Sequence, residues 1–585
     1  MVPVLCIGSV MTNTTKSNTS TIGRSVLAAL ILVMLTAFST RFSAQALPSF
    51  NDDVSEDQLV ESIIRAMTSE EILGQVFFLG YLGKQPSGHL KSWIEQRRVG
   101  GVKIFTRNVS SLVSLAASVR EIQGLAISNR FHIPLLIATD QEGGWVRHIR
   151  SGNSVSPGNM ALAAGKKPGD AFVTGYYLGM ELRYLGINMN FAPTVDVYSN
   201  PSATVIGPRA FSSDPKLTGL MALAYFKGMQ KAGVVCTAKH YPGHGDTDKD
   251  SHGYLPEVNV SFDTLWSRDL LPYRFLVKEG IPAIMSGHLA FPRILGNDLP
   301  ATLSSYFLKD VLRQKLGFQG VVVTDDLEMY GVHRNRLDVP SVSAEALKAG
   351  NDMILLSHTP YLQDQTWNRL SSLMETDREL RERVQNAARR VLRMKLRYLK
   401  RDFPVLPDVE AVREKIPLTQ AKEFFFDSSC RAVTLVRDKN IPFSPTDGRK
   451  ILLVGQIKQF FREGLRRFPE AEVFEFPYTP WEWSRISDRQ TVSRLARGFD
   501  TVIFCLTNQN SLEVLQELEG YKGRVYVISA LTPSYLASVP WIESALAIYG
   551  MESDSFRAGF SVLVGDFEPE GTLPLGPDMK ILKVE

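Results

Sequence analysis

Residues 233–238 read GVVCTA and residues 239–252 read KHYPGHGDTDKDSH. The first run is apolar and β-prone, so it predicts a buried strand that ends at Lys239 and His240. The second is rich in Gly and Asp and cannot continue as helix. A strand that delivers a Lys and a His and then opens into a polar loop fits the C-terminal face of a parallel barrel. So many titratable residues beside one strand end outweigh the reading of a merely solvated loop.

Working outward, short apolar runs recur at residues 99–105, 135–139, 189–197, 283–287, 321–324 and 353–356. Helical patterns lie between many of them, for example 112–126 and 217–232. Thr68-Ser69-Glu70-Glu71 is a capping box ahead of Ile72 and Leu73. This alternation predicts an α/β chain with an N-terminal (β/α)8 TIM-type barrel. Polar residues sit at successive strand ends: Asp140, Asp196, Lys239-His240, His288 and Asp325. A satisfied core group explains one such residue, for instance Asp196 or His288, better than it explains all of them. An Arg-rich helix over 375–400 precedes Pro404 and Pro407, and the domain boundary is placed there. Beyond it, runs at 450–454, 501–506, 524–530 and 542–549 predict a smaller open α/β sandwich domain. The first of these runs is followed by GQIKQF, which lacks GxGxxG, so dinucleotide binding is not supported. The expected organisation is a leader over 1–46, a barrel catalytic domain over 47–400 and a C-terminal α/β domain over 401–585.

Bulk properties narrow the function. The chain has 585 residues, 44% hydrophobic and 22% charged, which suits two folded domains. A formal net charge of +4 gives no reason to invoke a nucleic-acid partner. Arg24, the apolar run of residues 25–38 and Ala44-Gln45-Ala46 follow the layout of a secretory signal peptide, and the run is short for a membrane span. Export to the periplasm or exterior is expected, with no integral span after cleavage; an uncleaved leader is the alternative, and would tether the chain. Met11 is an alternative start. Of the four cysteines, Cys6 lies in the leader, and Cys236 and Cys505 fall inside apolar strand patterns as small core residues. No Cys/His cluster has metal-ligand spacing, and neither a metal nor a cofactor is expected.

The 239–252 stretch resembles the signature of family 3 glycoside hydrolases of the β-N-acetylglucosaminidase (NagZ-like) branch. Lys-His after a strand is general to that family, and a PGHG loop ending in Asp-Ser-His marks the branch. The resemblance runs from about Asp57 to the Leu-Pro-Leu near the C-terminus. It implies a carbohydrate substrate and a covalent mechanism with retention, which requires a carboxylate under the anomeric carbon. In VVVTDDLEM, residues 321–329, Asp325 matches the family nucleophile and Asp326 is its neighbour, with a helix N-cap as the competing role. Asp250-Ser251-His252 matches the branch's acid/base dyad, in which the Asp orients the His and raises its pKa. His244 and Asp246 are rival acid/base candidates, better suited to shaping the loop. Asp140, Arg209, Lys239 and His240 match sugar-contacting positions; an ion pair is the alternative role for Arg209.

One departure stands out. The family reads EGGRVQR after the binding Asp; here Trp145 replaces the first Arg and His148 stands at the second, with Arg147 and Arg150 flanking it as substitutes. The leading expectation is an exported, exo-acting β-N-acetylglucosaminidase releasing GlcNAc from peptidoglycan fragments or chito-oligosaccharides. The alternatives are a β-glucosidase-type family 3 hydrolase with a Glu acid from the second domain, a phosphorylase, and a non-catalytic glycan-binding protein. The complete Asp250-His252 loop argues against the first, and the presence of both Asp325 and His252 against the last. The oligomeric state is not readable from the chain.

Overall fold

Eight short strands close into a barrel: β1 (Phe77–Leu79), β2 (Gly101–Ile104), β3 (Leu136–Thr139), β4 (Met189–Asn190), β5 (Val235–Tyr241), β6 (Ala283–Ser286), β7 (Val321–Asp326) and β8 (Met353–Leu356). In this computed structural model, residues 47–249, 253–333, 338–444, 449–479 and 482–576 are described. The leader expected over 1–46 and the dyad Asp250-His252 lie outside the described residues. Neighbouring strands pair in parallel in the order β1-β8-β7-β6-β5-β4-β3-β2, with β2 closing back on β1. Nearly every strand residue is buried, as parallel strands covered on both faces require.

The helices outside the barrel start where the sequence caps them. Thr68 and Glu71 make the expected reciprocal capping box. Asp214 caps the helix Pro215–Lys231, with Pro at its first position. That helix lies against Pro168–Tyr184 with backbones almost touching. A Cβ on Gly228 would sit 1.9 Å from the Phe172 carbonyl oxygen, so only Gly fits that crossing.

Several bounds differ from expectation, each for a physical reason. β1 has no counterpart among the expected strands: three residues directly after a helix are too few for a period to show. The expected strand over 189–197 pairs only at Met189–Asn190. Pro193 has no N–H for the ladder, and the chain continues extended to a single bridge between Thr194 and Lys239. β5 runs one residue past its expected end at His240, to Tyr241. The Arg-rich helix starts at Arg378, three residues later than expected: Asp377 ends the preceding helix Pro360–Thr376 and caps Arg378–Leu399 by accepting from the Leu380 N–H at 3.0 Å.

The second sheet contains β9 (Thr434–Asp438), β10 (Ile451–Gly455), β11 (Glu472–Glu475), β12 (Thr501–Leu506), β13 (Arg524–Ser529) and β14 (Ser544–Ala547), in the order β9-β14-β13-β12-β10-β11. It is mixed, because β9 runs antiparallel to β14. β9 and β11 were not among the expected strands, and β11 is an edge strand with mostly exposed side chains. The barrel and the second sheet share apolar packing: Met160 of the short helix Asn159–Ala164, with Tyr198 and Ile206 of the barrel loops, belongs to one buried cluster with Phe504, Leu512 and Tyr549. The chain then returns to the barrel, where Ser213 N–H donates to the Pro574 carbonyl at 3.2 Å. Cys236 and Cys505 are buried and unpaired, and Cys430 is a partly buried free thiol. No helix of the described residues is long and apolar enough to cross a membrane.

Candidate active site

The C-terminal ends of β2, β3, β5 and β7 bring charged side chains together at one mouth of the barrel. Lys103 lies in β2, Asp140 follows β3, Lys239 and His240 lie in β5, and Asp325 and Asp326 end β7. Lys239 Nζ is 2.5 Å from Asp140 Oδ1 and 2.7 Å from Glu142 Oε1. Arg209 grips Glu142 with two parallel bonds, Nε to Oε2 at 3.0 Å and Nη2 to Oε1 at 2.8 Å. The same Nη2 lies 3.3 Å from His240 Nε2. Lys103 Nζ completes the set at 2.9 Å from Asp140 Oδ2. Four of the sequence-predicted residues, Asp140, Arg209, Lys239 and His240, therefore belong to one network.

Burial works against the charges of this network, and mutual pairing overcomes it. Desolvation raises the Asp140 pKa, but Lys103, Lys239 and His148 bring it well below the usual carboxylate range. Glu142 is likewise penalised by burial and is lowered to about 2 by Arg209 and Lys239. Lys239 stays protonated because its two carboxylates outweigh burial and the repulsion of Arg209.

Asp325 differs from these groups. It is partly exposed, and among the described residues it has no ion-pair partner; its Oδ1 accepts the Asp326 N–H at 2.8 Å. Desolvation raises its pKa, while His288, His240 and Lys103 lower it to about 2. Burial lowers the pKa of His288 itself. The result is an ionised carboxylate that no cation of the described residues covers, beside a cluster of fixed donors. That arrangement suits attack on an electrophilic carbon held by those donors.

The remaining sequence candidates have structural roles. Asp196 accepts from the His240 ring at 2.8 Å and from the His240 and His244 backbone N–H groups, which fixes the ring and the turn after β5. His288 spans Thr302 at 2.9 Å and the Asp326 carbonyl at 3.0 Å. Asp326 is 3.2 Å from His358 and caps the following turn through the Glu328 N–H. Asp246 is paired with Arg268 at 2.7 Å, and His244 is buried, with neither ring nitrogen bonded among the described residues and its pKa pressed down to about 4 by burial. Both fit loop-shaping roles. The ion pair weighed for Arg209 is real, and it is also what ties Arg209 to the network.

The Trp145 departure resolves on the structure. His148 Nε2 lies 3.2 Å from Asp140 Oδ2, and its ring packs 5.0 Å from Phe105. The guanidinium of Arg147, one of the two flanking candidates, is 2.7 Å from Glu552 of the second domain. Arg150 bonds back to the Arg147 carbonyl at 3.2 Å and stays exposed. Lys103 and Glu142 escaped the sequence reading; a lone Lys in the apolar run of β2 was the available signal. Among the described residues no group of three or more His, Cys, Asp or Glu side chains is placed to hold a metal ion.

Residues 63–394 match the glycosyl hydrolase family 3 N terminal domain. The chain is 34% identical over 366 residues to the beta-hexosaminidase A of Pseudoalteromonas piscicida, covering 56% of this chain and 61% of that protein. It is 34% identical over 315 residues to the beta-hexosaminidase of Hydrogenovibrio crunogenus, covering 52% of this chain and 85% of that one. A family 3 beta-N-acetylglucosaminidase structure from Paenibacillus sp. str. FPU-7 superposes with a TM-score of 0.81 at 30% identity, over 87% of this chain and 99% of that one.

Proposed function

The chain belongs to glycosyl hydrolase family 3, and on that premise we propose that it is an exo-acting, retaining β-N-acetylglucosaminidase. Asp325 Oδ attacks the anomeric carbon as the glycosidic C–O bond breaks, and the departing oxygen takes a proton from the His252 imidazolium. Water then gives a proton to neutral His252 and attacks the same carbon, and the Asp325 ester bond breaks. Two inversions return the original anomer. Asp140, Arg209, Lys239 and His240 hold the sugar hydroxyls in this scheme, and Asp250 orients His252.

The observation that carries the reading is Asp325: an ionised carboxylate with no paired cation among the described residues, at the end of a barrel strand and beside a network of fixed donors. The names of the relatives support the hexosamine, and the Asp-Ser-His loop supports the acid. The terminal GlcNAc is taken from peptidoglycan fragments or chito-oligosaccharides. Export after cleavage near Leu47 is part of the proposal; N-terminal sequencing of protein from the native cell envelope tests it, and intact Met1 or Met11 in the cytosol refutes it. The enzymatic proposal is tested by turnover of aryl β-GlcNAc against aryl β-glucose, with the anomer of the first product read by NMR. A preference for the glucoside, or an inverted first product, overturns it.

A further inference from the structure

A cavity of about 870 Å³ opens at the N-terminal end of the barrel, between the segments that lead into β6 and β7 and the helix Arg378–Leu399. Val321, at the start of β7, lines it. Asp325 lies at the other end of that strand, roughly 13 Å away by the rise of a strand. A ligand held here therefore does not touch the catalytic mouth. Arg183, Arg390, Arg393 and Arg397 line the cavity, against one carboxylate, Asp402. Arg390 and Arg393 are 30% and 33% exposed, so both can be reached from solvent.

Part of this charge is a staple. The buried Asp352 accepts from Arg313 Nη2 at 2.5 Å, from Arg390 Nη1 at 3.1 Å and from Arg383 Nη2 at 3.5 Å. At this face of a barrel such a cluster serves stability. One carboxylate does not neutralise three guanidiniums, however. Burial lowers the Arg313 pKa, Asp352 raises it, and the charges of Arg390 and Arg383 lower it again, leaving it below its usual value. Arg183 adds a cation with no carboxylate partner among the described residues. Its Nη1 donates to the Ala232 carbonyl at 3.3 Å and its Nη2 to the Asp402 carbonyl, groups that fix the fork without cancelling its charge. Arg393 and Arg397 do have partners, Asp57 at 3.0 Å and Glu56 at 2.8 Å. Asp57 is 81% exposed, and a pair so open to water contributes little and yields to a competitor.

Six arginines thus meet four carboxylates, Asp352, Asp402, Asp57 and Glu56, around one basal cavity. The surplus of two positive charges matches a phosphate dianion, and planar guanidinium forks match its oxygens. We propose that this cavity binds a dianionic phosphate group between Arg183, Arg390 and Arg393. The space is larger than a phosphate ion needs, and the partly exposed Val277 and Tyr398 give its carrier an apolar wall. The phosphate comes free or on a small molecule, or from the headgroup of a lipid.

The test is calorimetric titration of inorganic phosphate and of glycerol 3-phosphate into the whole protein at constant ionic strength. A Kd below about 1 mM is expected for each. Arg183→Gln and Arg393→Gln should each weaken binding about tenfold, the loss of one charge-assisted contact, and the double variant should abolish it. Asp352 keeps its three arginines in these variants, so circular dichroism and the Tm in phosphate-free buffer should match the parent protein. Phosphate should raise the Tm of the parent and leave that of the double variant unchanged. Co-sedimentation with vesicles of phosphatidic acid in phosphatidylcholine, lost in the same variants, would assign the phosphate to a lipid. Binding of glycerol 3-phosphate without vesicle binding would assign it to a small molecule. No binding of either kind, binding that survives the double variant, or equal binding of succinate overturns the proposal.

Discussion

Lys103 Nζ lies 2.9 Å from Asp140 Oδ2, a contact made by barrel closure. Lys103 pairs in register with Ala138, and Asp140 lies two residues on, so the strand period places both side chains on one face. Lys103 is also one of the groups that lower the pKa of Asp325. Lys103→Met should therefore raise the pKa of both carboxylates toward ordinary values. Activity needs them ionised, so the acid limb of the kcat/KM profile should move to higher pH. At neutral pH a loss of about ten- to a hundredfold is expected from the buried charge left under-paired. A pH–rate profile superimposable on that of the parent protein would remove Lys103 from the site.

Asp325→Ala should fold normally and lose nearly all turnover, since the covalent route goes with the nucleophile and costs several kcal/mol of barrier. Circular dichroism checks the fold. A fluoro-sugar that traps the glycosyl-enzyme should label Asp325 and leave Asp326 unmodified, because Asp326 is buried beside His358 and occupied in a turn.

The importance of His252 should depend on the leaving group. A sugar alcohol needs a proton as the bond breaks, and a nitrophenolate does not. His252→Ala should therefore impair natural disaccharides far more than activated aryl glycosides, and with the latter a pre-steady-state burst should appear as deglycosylation becomes limiting. Asp250→Asn should give a milder form of the same pattern. Equal losses on both substrate types, with no burst, would reduce the pair to a loop contact and reopen the search for the acid.

No acid is expected from the second domain. Glu513 is held by Arg485 at 2.6 Å and by Arg489, an arrangement suited to packing of that domain. Glu513→Gln and Glu517→Gln should leave turnover within a few-fold. A large loss rescued by added azide would reveal a carboxylate acid and favour the β-glucosidase-type alternative.

Lys395 gives a stability prediction away from the site. It is fully buried, with Gln75 Oε1 at 2.9 Å as its hydrogen-bond partner, and burial pushes its pKa down to about 7. An unfolded lysine titrates near ~10.4. Between those values the unfolded chain binds a proton that the fold does not, so stability falls as the pH drops, and the full cost is present below about 7. Lys395→Met should raise Tm more in mildly acidic than in alkaline buffer. A gain that is independent of pH would mean that Lys395 is not forced neutral by the fold.

The barrel was legible because parallel strands buried on both faces leave unbroken apolar runs, as in residues 321–324 and 353–356. β1 was not, because three residues carry no period. Asp140, Lys239 and Asp325 stood out as charges at the ends of such runs. Lys103 did not, because a single Lys within β2 reads as a strand-edge residue until closure brings Asp140 beside it. Glu142 was hidden next to a stronger motif, and its role exists only once Arg209, 67 residues away in the chain, arrives. The basal cavity joins Arg183 to Arg390 and Arg393, a sequence separation at which local patterns carry no information. The dyad is the converse case, plain in the sequence and outside the described residues.

The apolar seam between barrel and second sheet bears on how this lineage can change. Tyr198, Ala203 and Ile206 lie on barrel loops and Met160 on the short helix Asn159–Ala164, yet they are buried with the second sheet's core residues. A chain cut after Leu399 would present that oily surface to water and invite aggregation. Gene truncation back to a bare barrel is therefore not a single neutral step. It requires several loop positions to turn polar first, each of which weakens the two-sheet protein. The seam acts as an evolutionary ratchet: once those loops had become greasy, the second domain became hard to lose, whether or not it ever touched a substrate.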